Sequence, residues 1–158
     1  MTEEQMRGAQ FSDDRKYRYA LWRIWDTEKP LVMFIGLNPS TANEKADDPT
    51  IRRVVSFARS WGYGGVYMMN LFAIVSSDPA ILKTVDDPTK ENDHYLIGVG
   101  VLCKNVVFAW GNFKEAEERA KVVSAMFPKA TCLGKNKNGT PKHPLYIASK
   151  TSPSKFFK

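Results

Sequence analysis

Gly36, Leu37, Asn38, Pro39 and Ser40 follow five consecutive apolar residues, 31–35. An apolar run of that length, bounded by Pro30 and Gly36, predicts a strand buried on both faces. Asn-Pro-Ser is turn chemistry. In α/β sheets ligands bind beyond the carboxyl ends of strands, so Asn38 and its neighbours are candidates for ligand contact. Asn70 interrupts a second apolar run, 66–72, near its carboxyl end. Asn is depleted in strands, and a buried amide needs partners for its donor and its acceptor. Either neighbouring backbone or a ligand must supply them. His143 stands between Lys142 and Pro144, just before apolar Leu145, in the basic loop KNKNGTPKHPLY. Asp47 and Asp48 place carboxylates in the long polar loop that follows Ser40.

The elements that must position these residues alternate between strand and helix. Residues 17–25, rich in aromatics, read as a strand, placed at an edge because Arg18 and Arg23 are tolerated there. The 31–35 strand follows. Asp48 then predicts an N-cap with Pro49 at the first helical position. Ile51, Val54, Val55 and Ala58 share one face at helical spacing. Arg52 and Arg59 share another, and glycines at 62, 64 and 65 end the helix. Residues 66–72 form a second buried strand, and 79–83 a helical turn. Residues 89–104 form a helix, 105–110 a third buried strand closed by Gly111, 113–127 a charge-laced helix, and 130–133 a short fourth strand. This order predicts one α/β domain, with a mostly parallel sheet covered on both faces. Four strand ends then converge, at 36–40, 70–73, 110–112 and 134–146. The first 16 residues carry no such pattern and are expected to be flexible.

Composition narrows the partners. The last 40 residues hold nine Lys or Arg and no Asp or Glu, while the first 118 carry a net −3. That asymmetry argues for a polyanion at one end of the fold, against the bland alternative of a solvated lysine-rich tail. The two cysteines, Cys103 and Cys132, have no metal-ligand spacing and read as core residues. No metal and no cofactor is expected. No apolar run reaches membrane-spanning length and the N-terminus lacks a signal-type hydrophobic region, so a cytoplasmic location is expected.

In order along the chain, GLNPS (36–40), VYMMNLFA (66–73), NVVFAWG (105–111) and KHPLY (142–146) resemble the skeleton of the uracil-DNA glycosylase superfamily. The fuller pattern GLNPSTA, DPTIRR, NLFA, ND, AWG, HPLY more closely resembles the bacterial and phage family called domain of unknown function 1643, over nearly the whole chain beyond Tyr17. The glycosylase resemblance implies a three-layer α/β/α sandwich with a central, mostly parallel four-stranded sheet. It implies that Asn38 holds the attacking water, that His143 supports the departing base or the DNA backbone, and that Asn70 reads the edge of a flipped pyrimidine. An amide's paired donor and acceptor suit a nucleobase edge, and a flipped base also needs an aromatic or apolar face. Phe72 and Trp110 are candidates for that face. Gly36, Leu37, Pro39, Ser40 and Gly111 complete the implied base site. Lys135, Lys137 and Lys142 of the basic end are the expected phosphate contacts, Arg52 and Arg53 are further candidates against the alternative of solvated helix residues, and Leu145 is a candidate wedge between bases against the alternative of apolar burial.

The chain departs from the glycosylase pattern. Asn38 stands where the most active glycosylases carry Asp, and an amide cannot act as a general base, a role worth about 10²- to 10⁴-fold. Asp48, or Asp47, is the candidate substitute. The 41–53 loop has no glycosylase counterpart. Three readings follow: a glycosylase-like hydrolase of a modified or damaged base in DNA, a non-catalytic nucleic-acid or nucleotide binding module, and an enzyme acting on free nucleotides.

Overall fold

The computed structural model describes residues 6–158. Its strands are β1 (Arg7–Phe11), β2 (Arg18–Ile24), β3 (Leu31–Gly36), β4 (Gly65–Asn70), β5 (Asn105–Phe108), β6 (Thr131–Cys132) and β7 (Ser154–Lys155). Its α-helices are α1 (Pro49–Ser60), α2 (Thr89–Leu102) and α3 (Glu117–Met126). The strands form one sheet in the order β1-β2-β4-β3-β5-β6-β7. β3 lies at its centre, parallel to β4 and β5, and β5 is parallel to β6. The remaining pairings are antiparallel.

The apolar run of β3 is divided between two cores. Val32 and Phe34 pack with Ile51, Val54, Phe57 and Ala58 of α1. Met33 and Ile35 pack with Leu96 and Val99 of α2 and Val123 of α3. Helices therefore cover both faces of the sheet, the arrangement that lets a strand be apolar without alternation. α1 begins as its sequence predicts. Asp48 accepts from the Ile51 amide at 2.9 Å, and Pro49 occupies the first turn. Asp48→Ala is expected to lower the unfolding free energy by about 1 kcal/mol, read from the denaturant midpoint.

The sheet has seven strands where four plus an edge strand were expected. β1 lies in the first 16 residues, where no element was expected, and residues 1–5 fall outside the described part. It covers β2, which is therefore an interior strand. Gly8 makes this possible: a Cβ there would lie 2.2 Å from the Trp22 ring. Consequently Arg18 and Arg23 are buried rather than exposed at an edge. β6, two residues long, lies within the strand expected at 130–133, and β7, also two residues, is too short for a periodic pattern. The expected 113–127 helix is a 3-10 turn, Lys114–Ala116, followed by α3.

The 41–48 loop is tied down by Arg23. Its Nη2 donates to Asn43 O at 2.6 Å and Ala46 O at 3.3 Å, and its Nε donates to the Asp47 carboxylate at 2.9 Å. No helix among the described residues is long and apolar enough to cross a membrane.

Candidate functional site

A cleft of about 340 Å³ opens at the carboxyl ends of β3 and β4. It is lined by Gly36, Leu37, Asn38, Ser40, Asp48, Asn70, Trp110, His143 and Leu145, all named from the sequence. The strand-end argument accounts for this convergence: Gly36 and Asn70 are register partners at the ends of the parallel β3–β4 pair.

Asn38 is held by its nitrogen. Nδ2 donates to Ser76 O at 3.0 Å, Pro39 O at 3.1 Å and Ile74 O at 3.2 Å. Its Oδ1 has no protein donor among the described residues, so Asn38 offers the cleft an acceptor in a fixed orientation.

Asn70 differs. Only 3% of it is exposed, yet its side-chain amide makes no hydrogen bond among the described residues, and neither amide atom is sealed from the cleft. The backbone around it is pinned. Asn92 Nδ2 donates to Asn70 O at 2.8 Å and Leu71 O at 3.2 Å, and Arg119 Nε donates to Leu71 O at 2.7 Å. The Asp87 carboxylate accepts from the Ala73 and Ile74 amides. A rigid support thus presents an amide whose donor and acceptor are both unspent. Gly36 makes room for it, because a Cβ there would sit 2.6 Å from Met68 Cε and 3.2 Å from Asn70 Oδ1. Gly36→Ala is expected to cost about 1–3 kcal/mol of stability through overpacking and to weaken ligand binding by displacing the amide. Paired denaturation and binding titrations separate the two effects.

His143 accepts from the Leu145 amide through Nδ1 at 3.1 Å. A neutral imidazole that accepts at Nδ1 carries its proton on Nε2, so the ring offers a donor. Burial lowers its pKa from the ordinary 6.5, and the charge of Asp48 pulls partly the other way. The unfolded state therefore binds the proton more readily. This contribution to stability is complete above pH 6.5 and is lost as pH falls through the folded value. Protonation breaks the bond that Nδ1 accepts from the Leu145 amide and leaves the Nε2 donor in place, so His143→Gln is expected to flatten the acid limb of stability in a pH series of denaturant titrations.

Asp48 faces the cleft with both oxygens engaged, Oδ1 by the Ile51 amide and Oδ2 by Ser40 Oγ at 3.1 Å. Trp110 is buried and packs on Phe108 with centroids 4.6 Å apart. Pro39 is buried behind the wall and accepts from the Ser76 amide. Gly111 has a positive φ of 77°, and a Cβ there would lie 3.7 Å from His143 Cβ. Phe72 is not part of the cleft wall; it packs against the core beneath α2 and α3.

The cationic residues divide. Arg53 is spent inside the protein: Nε donates to Pro144 O at 3.2 Å and Nη2 to Ile147 O, tying the His143 loop to α1. Arg52 donates to Asp47 O at 3.3 Å and, with Leu145, lines a shallow depression beside the cleft. Lys135, Lys137 and Lys142 are exposed on the hairpin-like loop bridged by Lys135 and Pro141. Leu145 and Tyr146 are 41% and 83% exposed at the cleft rim.

Sequence reasoning missed Arg18, which also lines the cleft. Its pairing explains why. Gln10 pairs with Ala20 and Phe11 with Arg18, so Tyr19 is skipped. This bulge turns Arg18 off the face that alternation assigns it. Ser76, Ser77 and Tyr146 reach the cleft from loops that carry no periodic signal.

Fold and site together define a mixed α/β protein with an amide-rich cleft beyond its parallel strands. The chain belongs to the family described as protein of unknown function (DUF1643), whose model matches residues 18–145. That span runs from Arg18 to Leu145 and includes Asn38, Asn70 and His143. No curated protein and no solved structure matches the chain.

Proposed function

We propose that this protein recognises a nucleobase in the cleft and hydrolyses an N-glycosidic bond of a modified or damaged base, with DNA as the carrier. The observation that carries the reading is the unpaired amide of Asn70, buried at a strand end and backed by Asn92 and Arg119. The amide opens into the cleft with its donor and acceptor unused by the protein, and a base edge supplies an acceptor and a donor together. Asn38 Oδ1 accepts a hydrogen bond from water. That water adds to the sugar carbon, the carbon–nitrogen bond breaks, and its electron pair leaves with the base. The water's proton passes to solvent. His143 Nε2–H stabilises the departing base as a preorganised donor. Leu145 and Tyr146 at the rim, with Arg52, Lys135, Lys137 and Lys142, form the nucleic-acid side, where binding should weaken steeply with salt.

A second reading, recognition without hydrolysis, is favoured by Asn38 itself, whose amide cannot take a proton. The test is base release. Protein is incubated with DNAs carrying natural, deaminated and hypermodified bases, and free bases are measured by mass spectrometry. Release by the wild type, reduced at least about 10²-fold in Asn38→Ala and His143→Ala, supports hydrolysis. Salt-sensitive binding without release supports the binding module.

A further inference from the structure

The described part contains three buried arginines, Arg18, Arg23 and Arg119. Two of them are neutralised. Arg23 meets Asp47 at 2.9 Å and Arg119 meets Asp93 at 2.5 Å. Arg18, 3% exposed, has no carboxylate within ion-pair distance among the described residues. Its guanidinium makes one hydrogen bond, Nη1 to Ala42 O at 3.1 Å, and its Nε is buried without a partner. A guanidinium carries N–H donors in a planar fork, so most of this fork is unspent. The same side chain lines the cleft that holds Asn70 and His143.

Asp48 acts on this charge only through space, without an ion pair, and each of its oxygens accepts from another donor, the Ile51 amide and Ser40 Oγ. Burial lowers the Arg18 pKa to about 10, with Asp48 opposing the change, so the group remains cationic at neutral pH. A buried, unpaired cation is costly unless an anion completes it. The bulge at Tyr19 that aims Arg18 toward Ala42 is the kind of irregularity that re-aims a side chain beside a site.

We propose that Arg18 is the receptor for a terminal oxyanion on the ligand, so that the cleft takes an acidic nucleoside: base edge on Asn70, phosphate or carboxylate on Arg18. The base half of this ligand rests on the reading given above; the oxyanion half rests on Arg18 alone. A backbone phosphodiester does not suit the position, because both its chain continuations would have to enter a site that is almost closed to solvent. Two sources supply the right group: the 5′-phosphate of a free nucleotide, and an acidic substituent on a modified base.

The test is a set of binding titrations followed by tryptophan fluorescence, since Trp110 lines the cleft. The probes are pyrimidine and purine nucleosides, their 5′-monophosphates, 5-carboxy-pyrimidine nucleosides, and 2-deoxyribose 5-phosphate. At least one acidic series is expected to bind about 10- to 100-fold more tightly than the plain nucleosides, the range for charge-assisted hydrogen bonds. Arg18→Met should erase that gain and leave nucleoside binding in place. The series that gains identifies the source of the oxyanion. To keep the test independent of how Arg18→Met folds, the wild type is also followed by the ¹⁵N resonance of Arg18 Nε, which should shift on adding the acidic probe and not the plain nucleoside. Equal affinity for acidic and plain nucleosides, with no movement of that resonance, overturns the proposal. So does a gain that persists in folded Arg18→Met. Sugar phosphate binding that depends on Arg18, with no binding of any nucleoside, keeps the oxyanion site and removes the base reading.

Discussion

Asn70→Leu is expected to leave the fold intact and to lower affinity for the cognate base about 5- to 150-fold, the worth of a well-made two-point amide contact. The expectation follows from what the side chain does not touch. Its amide has no protein partner among the described residues, so replacing it with an apolar group of similar volume breaks no internal hydrogen bond. The amide faces the cleft, so its loss leaves no buried protein donor or acceptor unpaired. Melting of Asn70→Leu at or above the wild-type temperature, together with lost base discrimination, is the expected pair of results. Asn70→Asp adds a second arm: it keeps the shape and the acceptor, replaces the donor with a charge, and should shift preference toward bases that present donors. An Asn70→Leu protein that melts well below the wild type would mean that the amide has a structural task.

The second large effect is on stability. Arg23→Met is expected to cost about 3 kcal/mol, at the lower end of the range for breaking a buried ion pair because Asp47 is partly solvated. The loss is not confined to the pair. Arg23 also donates to Asn43 O, Ala46 O and Trp22 O, and the carbonyls of the 41–48 loop are left without it. That loop joins Ser40 to Asp48, both of which line the cleft. Arg23→Met should therefore lower the denaturant midpoint and weaken ligand binding together, whereas Arg7→Met, which removes the more solvated partner of Asp47 and one bond to Lys45 O, should cost less than about 1 kcal/mol.

Much of the frame was legible because it rests on local rules. The run Leu31–Gly36 can be buried only at a sheet centre. Asp48-Pro49 marks a helix start by capping chemistry that needs no tertiary partner. The parallel strands β4, β3 and β5 follow from their apolar runs, and β6 falls inside the short strand expected at 130–133. β1 and β7 are different, because they are short and take their stability from pairing with strands already in place. β1 was not visible at all, and its absence from the pattern made β2 look like an edge.

The site was legible where strand ends determine it. Gly36, Asn38, Asn70, Trp110 and His143 meet because parallel strands deliver their carboxyl ends to one side. Arg18 was illegible because one skipped residue in a strand pair reverses the face of everything before it, and no period-2 reading contains that reversal. Phe72 went the other way: it follows the end of β4, where alternation no longer determines direction, and it turns into the core beneath α2 and α3. Arg53 reads as a free cation in sequence, but the chain folds the carbonyls of Pro144 and Ile147 onto it.

The central claim is that the Asn70 amide reads a base edge. Its direct test is the ¹⁵N–¹H correlation of the Asn70 side chain, assigned by its loss in Asn70→Leu and followed during titration with each of the common and modified nucleosides. A large shift of the Asn70 NH₂ pair is expected for one base type, with smaller or no shifts for the others. An Asn70 signal that stays fixed with every nucleoside, or moves equally for all of them, contradicts it.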